Sequence, residues 1–153
     1  MNIIQKINAL TLKVTDLIPQ WAIPITIRFG IFFVFWNSAQ SRLYEWSFLG
    51  YSWKFWEISE TSFYLFDDFN IPLIPAEIST YMATFAEFFL SLFIVFGFFT
   101  RLSAAGLLGV VFVIQVFAMP DLWQTHLLWA SALLYLFKYG AGSLSVDQLI
   151  NNR

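Results

Sequence analysis

The chain has 153 residues, of which 59% are hydrophobic and 12% charged, and its mean hydropathy of +0.68 indicates a membrane protein rather than a soluble domain. The net charge of -2 comes from scattered residues with no basic strip, so we expect no nucleic-acid partner. The absence of cysteine excludes disulfides, thiolate nucleophiles and Cys-ligated iron–sulfur clusters, so redox chemistry would need a borrowed, non-covalent cofactor.

The first 18 residues predict an amphipathic helix that lies at the membrane interface. Their apolar side chains recur at alternating spacings of four and three, at Ile3, Ile7, Leu10, Val14 and Leu17. A cleaved signal peptide is the alternative. It is disfavoured because polar residues interrupt the apolar run and no small-x-small cleavage site follows.

Four apolar runs predict membrane spans. The first, at residues 21–42, carries Arg28, Asn37 and Gln40, and therefore cannot face lipid all round. The others lie at residues 76–99, 102–118 and 123–139. Loops of a few residues at 100–101 and 119–121 would make the last three spans antiparallel neighbours. The whole chain, residues 1–153, is predicted to form one all-α, four-helix membrane bundle.

The long connection at residues 43–75 is rich in aromatic and acidic side chains, among them Glu45, Trp46, Trp53, Trp56 and Glu60. Trp53, Trp56, Glu60 and Phe63 fit one or two turns of interfacial helix. The loop is either a lid that admits a hydrophobic ligand or docks a partner protein, or a connector that rests on the headgroup layer.

Basic residues predict the orientation of the bundle. Lys6, Lys13, Arg101, Lys138 and Arg153 lie on one side, and only Arg42 and Lys54 on the other, so both termini should be cytoplasmic.

The segment after the fourth span carries helix-end signals. Residues 140–142, Gly-Ala-Gly, would close that span. Ser145 with Gln148 has capping-box spacing for a short helix through Asn151.

Glu87 is a carboxylate inside an otherwise apolar run. It shares a helix stripe with Ser79, Ala83 and Ser91, and small residues on one stripe mark a face packed against another helix. We expect Arg28 to be its partner. Counted from the cytoplasmic ends of their spans at about 1.5 Å per residue, the two backbones differ in membrane depth by only about 8 Å. The pair either fixes the register of two spans or borders a cavity and handles a proton or a polar ligand head.

Other polar residues in the spans have alternative explanations. Asn37, Gln40 and Gln115 are expected to form interhelical hydrogen bonds. His126, between Trp123 and Trp129, could relay a proton or belong to a structural hydrogen-bond network. We find no hydrolase arrangement and no metal-ligand spacing. A transporter would need a second half that repeats the first, which a homo-oligomer could supply.

Several landmarks resemble the DoxX family. They are Arg-Phe-Gly at residues 28–30, Ala-Glu at 86–87, Phe-Gly-Phe-Phe-Thr-Arg at 96–101 and Gly-Ala-Gly-Ser-Leu-Ser-Val-Asp at 140–147. The resemblance covers residues 24–148 and looks closest to a subgroup whose first outer loop ends in Ile-Pro-Leu-Ile-Pro, here residues 71–75. Many relatives have Gly-Pro-Gly where this chain has residues 140–142.

The resemblance implies a four-helix protein of the bacterial inner membrane with a quinone-associated redox role. Some relatives are subunits of a thiosulfate:quinone oxidoreductase and others are linked to oxidative-stress complexes, so an enzymatic role would be that of an oxidoreductase subunit. Residues around a quinone would be Arg28, Asn37, Glu87, Gln115 and Trp129, with Glu87 and His126 as candidate catalytic groups.

The alternative implied by the resemblance is a non-catalytic membrane scaffold. Relatives in this subgroup tend to be encoded beside enzymes that mature metal-binding peptides. Such an accessory protein would dock a soluble partner through loop 43–75 or the C-terminal helix.

Overall fold

The computed structural model describes residues 2–44 and 47–152. These residues form seven α-helices: α1 (Ile3–Thr15), α2 (Ala22–Gln40), α3 (Glu60–Asp68), α4 (Ala76–Phe96), α5 (Thr100–Val113), α6 (Trp123–Tyr139) and α7 (Val146–Asn151). A π-helical turn, Ile114–Ala118, continues α5, and a 3₁₀ turn, Pro120–Leu122, precedes α6. A small hairpin pairs β1 (Ser47–Phe48) with β2 (Tyr51–Ser52). Glu45, Trp46 and Arg153, which entered the predictions for the loop and the orientation, lie outside the described residues.

The predicted all-α membrane bundle is confirmed. In the described part of the chain, three helical segments are long and apolar enough to cross a bilayer: Ala22–Gln40, Ala76–Phe96 and Thr100–Ala118. Helix α6 has 17 residues, and its crossing of the membrane stays a prediction, as does the cytoplasmic location of both termini.

The helices α2, α4, α5 and α6 form a closed bundle. Helix α2 packs along α4, α4 along α5, α5 along α6, and α6 returns to α2. Side chains from all four helices fill the centre, including Phe35, Ile94, Leu107 and Leu133, which are almost completely buried. The bundle therefore has two ends. We call them the α7 end, where α4 ends and α5 begins, and the loop end, covered by residues 47–75.

The turn between α4 and α5 lies three residues earlier than predicted. The apolar run predicts a second span that reaches residue 99 and a loop at residues 100–101. Helix α4 instead ends at Phe96, because Gly97 adopts the left-handed conformation (φ 68°) that stops helices efficiently. The Phe98 N–H then donates to the Phe93 carbonyl at 2.8 Å, and α5 begins at Thr100.

Helix α7 docks onto this turn. The Asp147 carboxylate accepts hydrogen bonds from the backbone N–H groups of Phe99 and Thr100, at 2.8 and 3.0 Å. These are unpaired donors at the start of α5, where a negative charge is favourable. The Asp147 N–H donates to the Gly97 carbonyl at 2.8 Å, so α7 is fastened to both sides of the turn.

Arg28 completes the same end of the bundle. Its Nε donates to the Ile94 carbonyl at 2.9 Å, and Nη1 donates to the carbonyls of Ala141 and Leu144 at 3.2 and 2.7 Å. Nη2 donates to the Val95 carbonyl. These are end carbonyls of α4 and carbonyls of the segment after α6, which a cation satisfies well. We call Arg28, Gly97, Ala141, Leu144 and Asp147 the C-terminal joint.

The connection before α3 packs on the bundle and does not form the helix predicted at Trp53 and Trp56. Helix α3 begins only at Glu60, and Trp53 and Trp56 precede it. The Trp53 ring lies 5.3 Å from that of Trp36 on α2. Gln40, predicted to bond to another helix, instead exchanges hydrogen bonds with the backbone N–H and carbonyl of Ser52. Ring packing and this amide pairing hold the hairpin against α2.

Polar side chains cap the N-termini of the two terminal helices, α1 and α7. Asn2 and Gln5 form a reciprocal capping box at the start of α1, whose apolar face is exposed, in keeping with the predicted interfacial helix. Ser145 caps α7 as predicted, by accepting from the Gln148 N–H, whereas the Gln148 side chain bonds to Asn152 rather than completing the box. Gly140 ends α6.

We predict that Gly97→Ala destabilises the protein by at least about 2 kcal/mol. The new Cβ would require a left-handed alanine and would stand 2.6 Å from the Ser145 Cβ, and each effect costs about 1 kcal/mol or more. Reversible unfolding in mixed micelles measures the change. Gly109→Ala is the matched control, because its Cβ would meet nothing within 4 Å and should be neutral or slightly stabilising. Equal stability of the two variants would contradict the prediction.

Candidate functional site

The buried carboxylate Glu87 is paired with Arg42. Nη2 of Arg42 lies 2.8 Å from Oε1 and 2.7 Å from Oε2 of Glu87. The Glu87 side chain is 1% exposed and that of Arg42 is 11% exposed. Two charges removed from water in this way must compensate each other. Glu87 therefore faces protein, as its stripe of small residues predicts.

The predicted Arg28–Glu87 pair is wrong, and the tilt of helical side chains explains why. Side chains lean toward the N-terminus of their helix. Arg28 therefore points to the α7 end and reaches carbonyls seven and eight residues beyond Glu87, roughly 10 Å along α4. Arg42 lies in the turn that continues α2, and the same lean directs it back into the bundle. Residue numbers give the membrane depth of a backbone but not the direction of its side chain. For this reason Arg42 was expected only to flank the span.

Side chains of three helices surround the Arg42 guanidinium. Nη2 donates to the Ser38 Oγ at 2.8 Å, and Nη1 makes a long contact of 3.4 Å with the Thr84 Oγ1. The ring of Phe66, on α3, lies over the guanidinium with its centroid 5.4 Å away. The Arg42 carbonyl accepts from the Ser59 N–H at 2.9 Å. Helix α3 is thus held as a cover over the ion pair.

The ion pair borders a cavity of about 810 Å³ between α2, α3, α4 and α5. Small residues create the space, because Ala83 on α4 and Gly106 and Gly109 on α5 line it with little or no side chain. Most of the remaining wall is apolar, for example Leu65, Met82, Leu90, Val110 and Ile114. The cavity therefore combines mainly apolar walls with one ion pair, a combination typical of small-molecule sites.

Arg42 has donors left for a ligand. A guanidinium carries five N–H donors. Its hydrogen bonds to residues 2–44 and 47–152 use Nη2 and one position of Nη1. Donors on Nε and Nη1 are therefore available, whereas the Glu87 oxygens are already engaged. A ligand with acceptor oxygens could bind here without breaking the ion pair.

His126, Gln115 and Trp129 form a separate cluster near the start of α6. Nδ1 of His126 lies 2.7 Å from the Gln115 Oε1, and the Gln115 Nε2 donates to the Pro120 carbonyl at 2.8 Å. The rings of His126 and Trp129 are 5.2 Å apart. These three residues do not line the cavity beside Glu87.

The structure thus brings together only part of the predicted site. Glu87 lies at the cavity, Arg28 belongs to the C-terminal joint, and Asn37 is exposed and absent from the cavity wall. Sequence reasoning missed Arg42 and Ser38. Their spacing of four, one turn apart at the end of α2, was a usable signal once the lean of the arginine is considered.

A double-mutant cycle should show which arginine is coupled to Glu87. Glu87→Gln and Arg42→Gln should each cost about 3 kcal/mol because each leaves a buried charge unpaired. The double variant should lose less unfolding free energy than the two single variants added together, by about 1 kcal/mol or more. Arg28→Gln with Glu87→Gln should be additive to within about 0.5 kcal/mol. The measurement is the free energy of unfolding in mixed micelles, and coupling to Arg28 instead would refute the observed pairing.

Comparison of the sequence with known proteins identifies its family. A model of the DoxX family matches residues 23–120, which include the Arg-Phe-Gly and Ala-Glu landmarks at Arg28 and Glu87. An uncharacterized protein of Haemophilus influenzae (strain ATCC 51907 / DSM 11121 / KW20 / Rd) is 33% identical over 129 residues, covering 78% of this chain and 79% of that protein. No solved structure matches the chain. The chain belongs to the DoxX family of membrane proteins.

Proposed function

We propose that this DoxX protein binds a quinone in the cavity beside Glu87 and acts in the bacterial inner membrane as a quinone-associated subunit of an oxidoreductase. One observation carries the proposal: a compensated Arg42–Glu87 pair borders a mostly apolar cavity of about 810 Å³. Such a volume lies within the usual range of ligand pockets, roughly 300–1,000 Å³.

The cavity fits the chemistry of a quinone head. The head is a flat, uncharged ring with acceptor oxygens, which complements the free donors of Arg42 and the apolar walls around them. Because Arg42 and Glu87 neutralise each other, an uncharged ligand can enter without facing an uncompensated buried charge. A carboxylate ligand, by contrast, would compete with Glu87 for the guanidinium.

The residues have distinct roles in this proposal. Arg42 donates to a quinone oxygen, and Glu87, with Ser38, holds the guanidinium through Nη2 and so leaves the donors on Nε and Nη1 unused by this pair. When bound, a quinone supplies the redox chemistry by accepting two electrons and two protons. A partner subunit supplies the electron donor.

The other predicted site residues receive positioning roles. Gln115 lies in the π-helical turn whose Ile114 and Ala118 line the cavity. By bonding to Gln115, His126 fixes this turn and so shapes the cavity wall. Arg28 acts only in the C-terminal joint.

The scaffold alternative predicts a sealed ion pair with no room beside it. The cavity along Ala83, Gly106 and Gly109 supports the quinone proposal over that alternative. A partner protein at the exposed loop end is compatible with either role, so ligand content is the property to measure.

We expect quinone to copurify with the wild-type protein and to be lost in Ala83→Phe and Arg42→Gln. Ala83→Phe fills the cavity and leaves both charges of the ion pair in place, whereas Arg42→Gln removes the guanidinium donors. Extraction of the detergent-solubilised protein and mass spectrometry measure quinone per chain. Arg101→Gln, an exposed arginine at the α7 end, is the charge-matched control and should retain quinone.

Ala83→Phe keeps the test valid if Arg42→Gln fails to fold. Quinone retained by a folded Ala83→Phe variant would reject this cavity as the site. A wild type that neither copurifies with quinone nor binds added quinone would reject the function and favour the scaffold.

A further inference from the structure

A second cavity, of about 440 Å³, lies beside the first on the outer face of α4. Its walls are Phe55, Trp56, Tyr81, Met82, Phe85 and Ala86. Met82 and Ala86 also line the cavity of the ion pair. The two cavities are therefore neighbours separated by one turn of α4.

Edge-to-face ring packing shapes this second cavity into a groove. The Phe55 ring lies 4.9 Å from Trp56 and 5.3 Å from Phe85, with interplanar angles of 84° and 82°. None of the six described lining residues is charged. We call this set of six residues the aromatic groove.

The aromatic groove faces the surroundings of the bundle rather than its core. Trp56 and Phe85 are 55% and 53% exposed, and Met82 is 58% exposed. These residues lie on or against α4, one of the helical segments that can span the membrane. An apolar surface of this kind on a membrane helix is accessible to long hydrocarbon chains in the bilayer.

We propose that the aromatic groove binds the isoprenoid tail of the quinone whose head lies beside Glu87. This inference rests on the proposed function and adds the route by which the ligand leaves the bundle. The tail crosses α4 over Met82 and Ala86 and then lies along Phe85 and Trp56.

The order of residues along α4 supports this route. Met82 and Ala86 are one turn apart and form the shared wall, and Ala86 directly precedes Glu87. A ligand whose head contacts the ion pair therefore meets a low, methyl-sized wall at Ala86. Phe66 lies over the guanidinium of Arg42, and the wall shared at Met82 and Ala86 joins the head site to the lipid-accessible groove.

The groove also uses two aromatic residues of the long loop. Phe55 and Trp56 belong to the long connection before α3; the Phe55 ring packs against Phe85 on α4, and Trp56 packs against Phe55. Rings present large, rigid apolar areas at a low cost in conformational entropy. A flexible chain of repeated apolar units needs such an extended surface and no polar partner.

The test compares two quinones with the same ring, one without a tail and one with a decyl tail. Affinities are measured for the full chain in lipid nanodiscs and corrected for partition into empty nanodiscs. The double variant Trp56→Ala/Phe85→Ala removes two groove walls whose side chains are half-exposed. Phe112→Ala is the control, because Phe112 is 65% exposed on α5 and lines neither of the two cavities described.

We expect the wild type to bind the decyl quinone at least about tenfold more tightly than the tail-less one. The double variant should lose most of that advantage and bind the tail-less quinone as the wild type does. Phe112→Ala should change neither affinity.

The outcomes separate the two proposals. Tail-less binding that depends on Arg42, with a decyl advantage unchanged in the double variant, would overturn the groove while leaving the proposed function intact. If neither quinone binds the wild type, the proposed function fails and the inference fails with it.

Discussion

The buried Arg42–Glu87 ion pair is the constraint on which the loop end depends. Neither charge tolerates an apolar bundle without the other, so α2 and α4 must pack in the one register that joins them. The guanidinium also needs Ser38, and its exposed face needs the ring of Phe66. The position of α3 and the cavity beneath it therefore follow from how one ion pair is satisfied.

The two arginines of the first span show how one geometric rule yields opposite results. Both lean toward the start of α2. Arg28 consequently closes the α7 end by binding the carbonyls at the end of α4, whereas Arg42 turns inward toward a carboxylate. At the α7 end four backbone carbonyls bind the guanidinium of Arg28, whereas the loop end retains space and unused donors. This asymmetry puts the candidate site at the loop end.

Much of the fold was predictable because it rests on local signals. Composition indicated a membrane bundle, Gly140 and Ser145 marked helix ends, and the stripe through Ala83 indicated which way Glu87 faces. The partner of Glu87 was missed because residue counting gives the depth of a backbone and not the reach of a side chain. The His126–Gln115 contact and the cavity depend on a π-helical turn and on gaps between helices, which no local pattern encodes.

The C-terminal joint has a consequence for how the protein is made. Arg28 belongs to the first span, yet two of its acceptors, Ala141 and Leu144, follow the last bundle helix. During translation, Arg28 lacks these two acceptors until they have been synthesised. The turn at Gly97 likewise lacks its cap until Asp147 has been added. Closure of the bundle at this end must therefore wait until residues 141–147 have been synthesised, although the helix that carries Arg28 is the first bundle helix to be made.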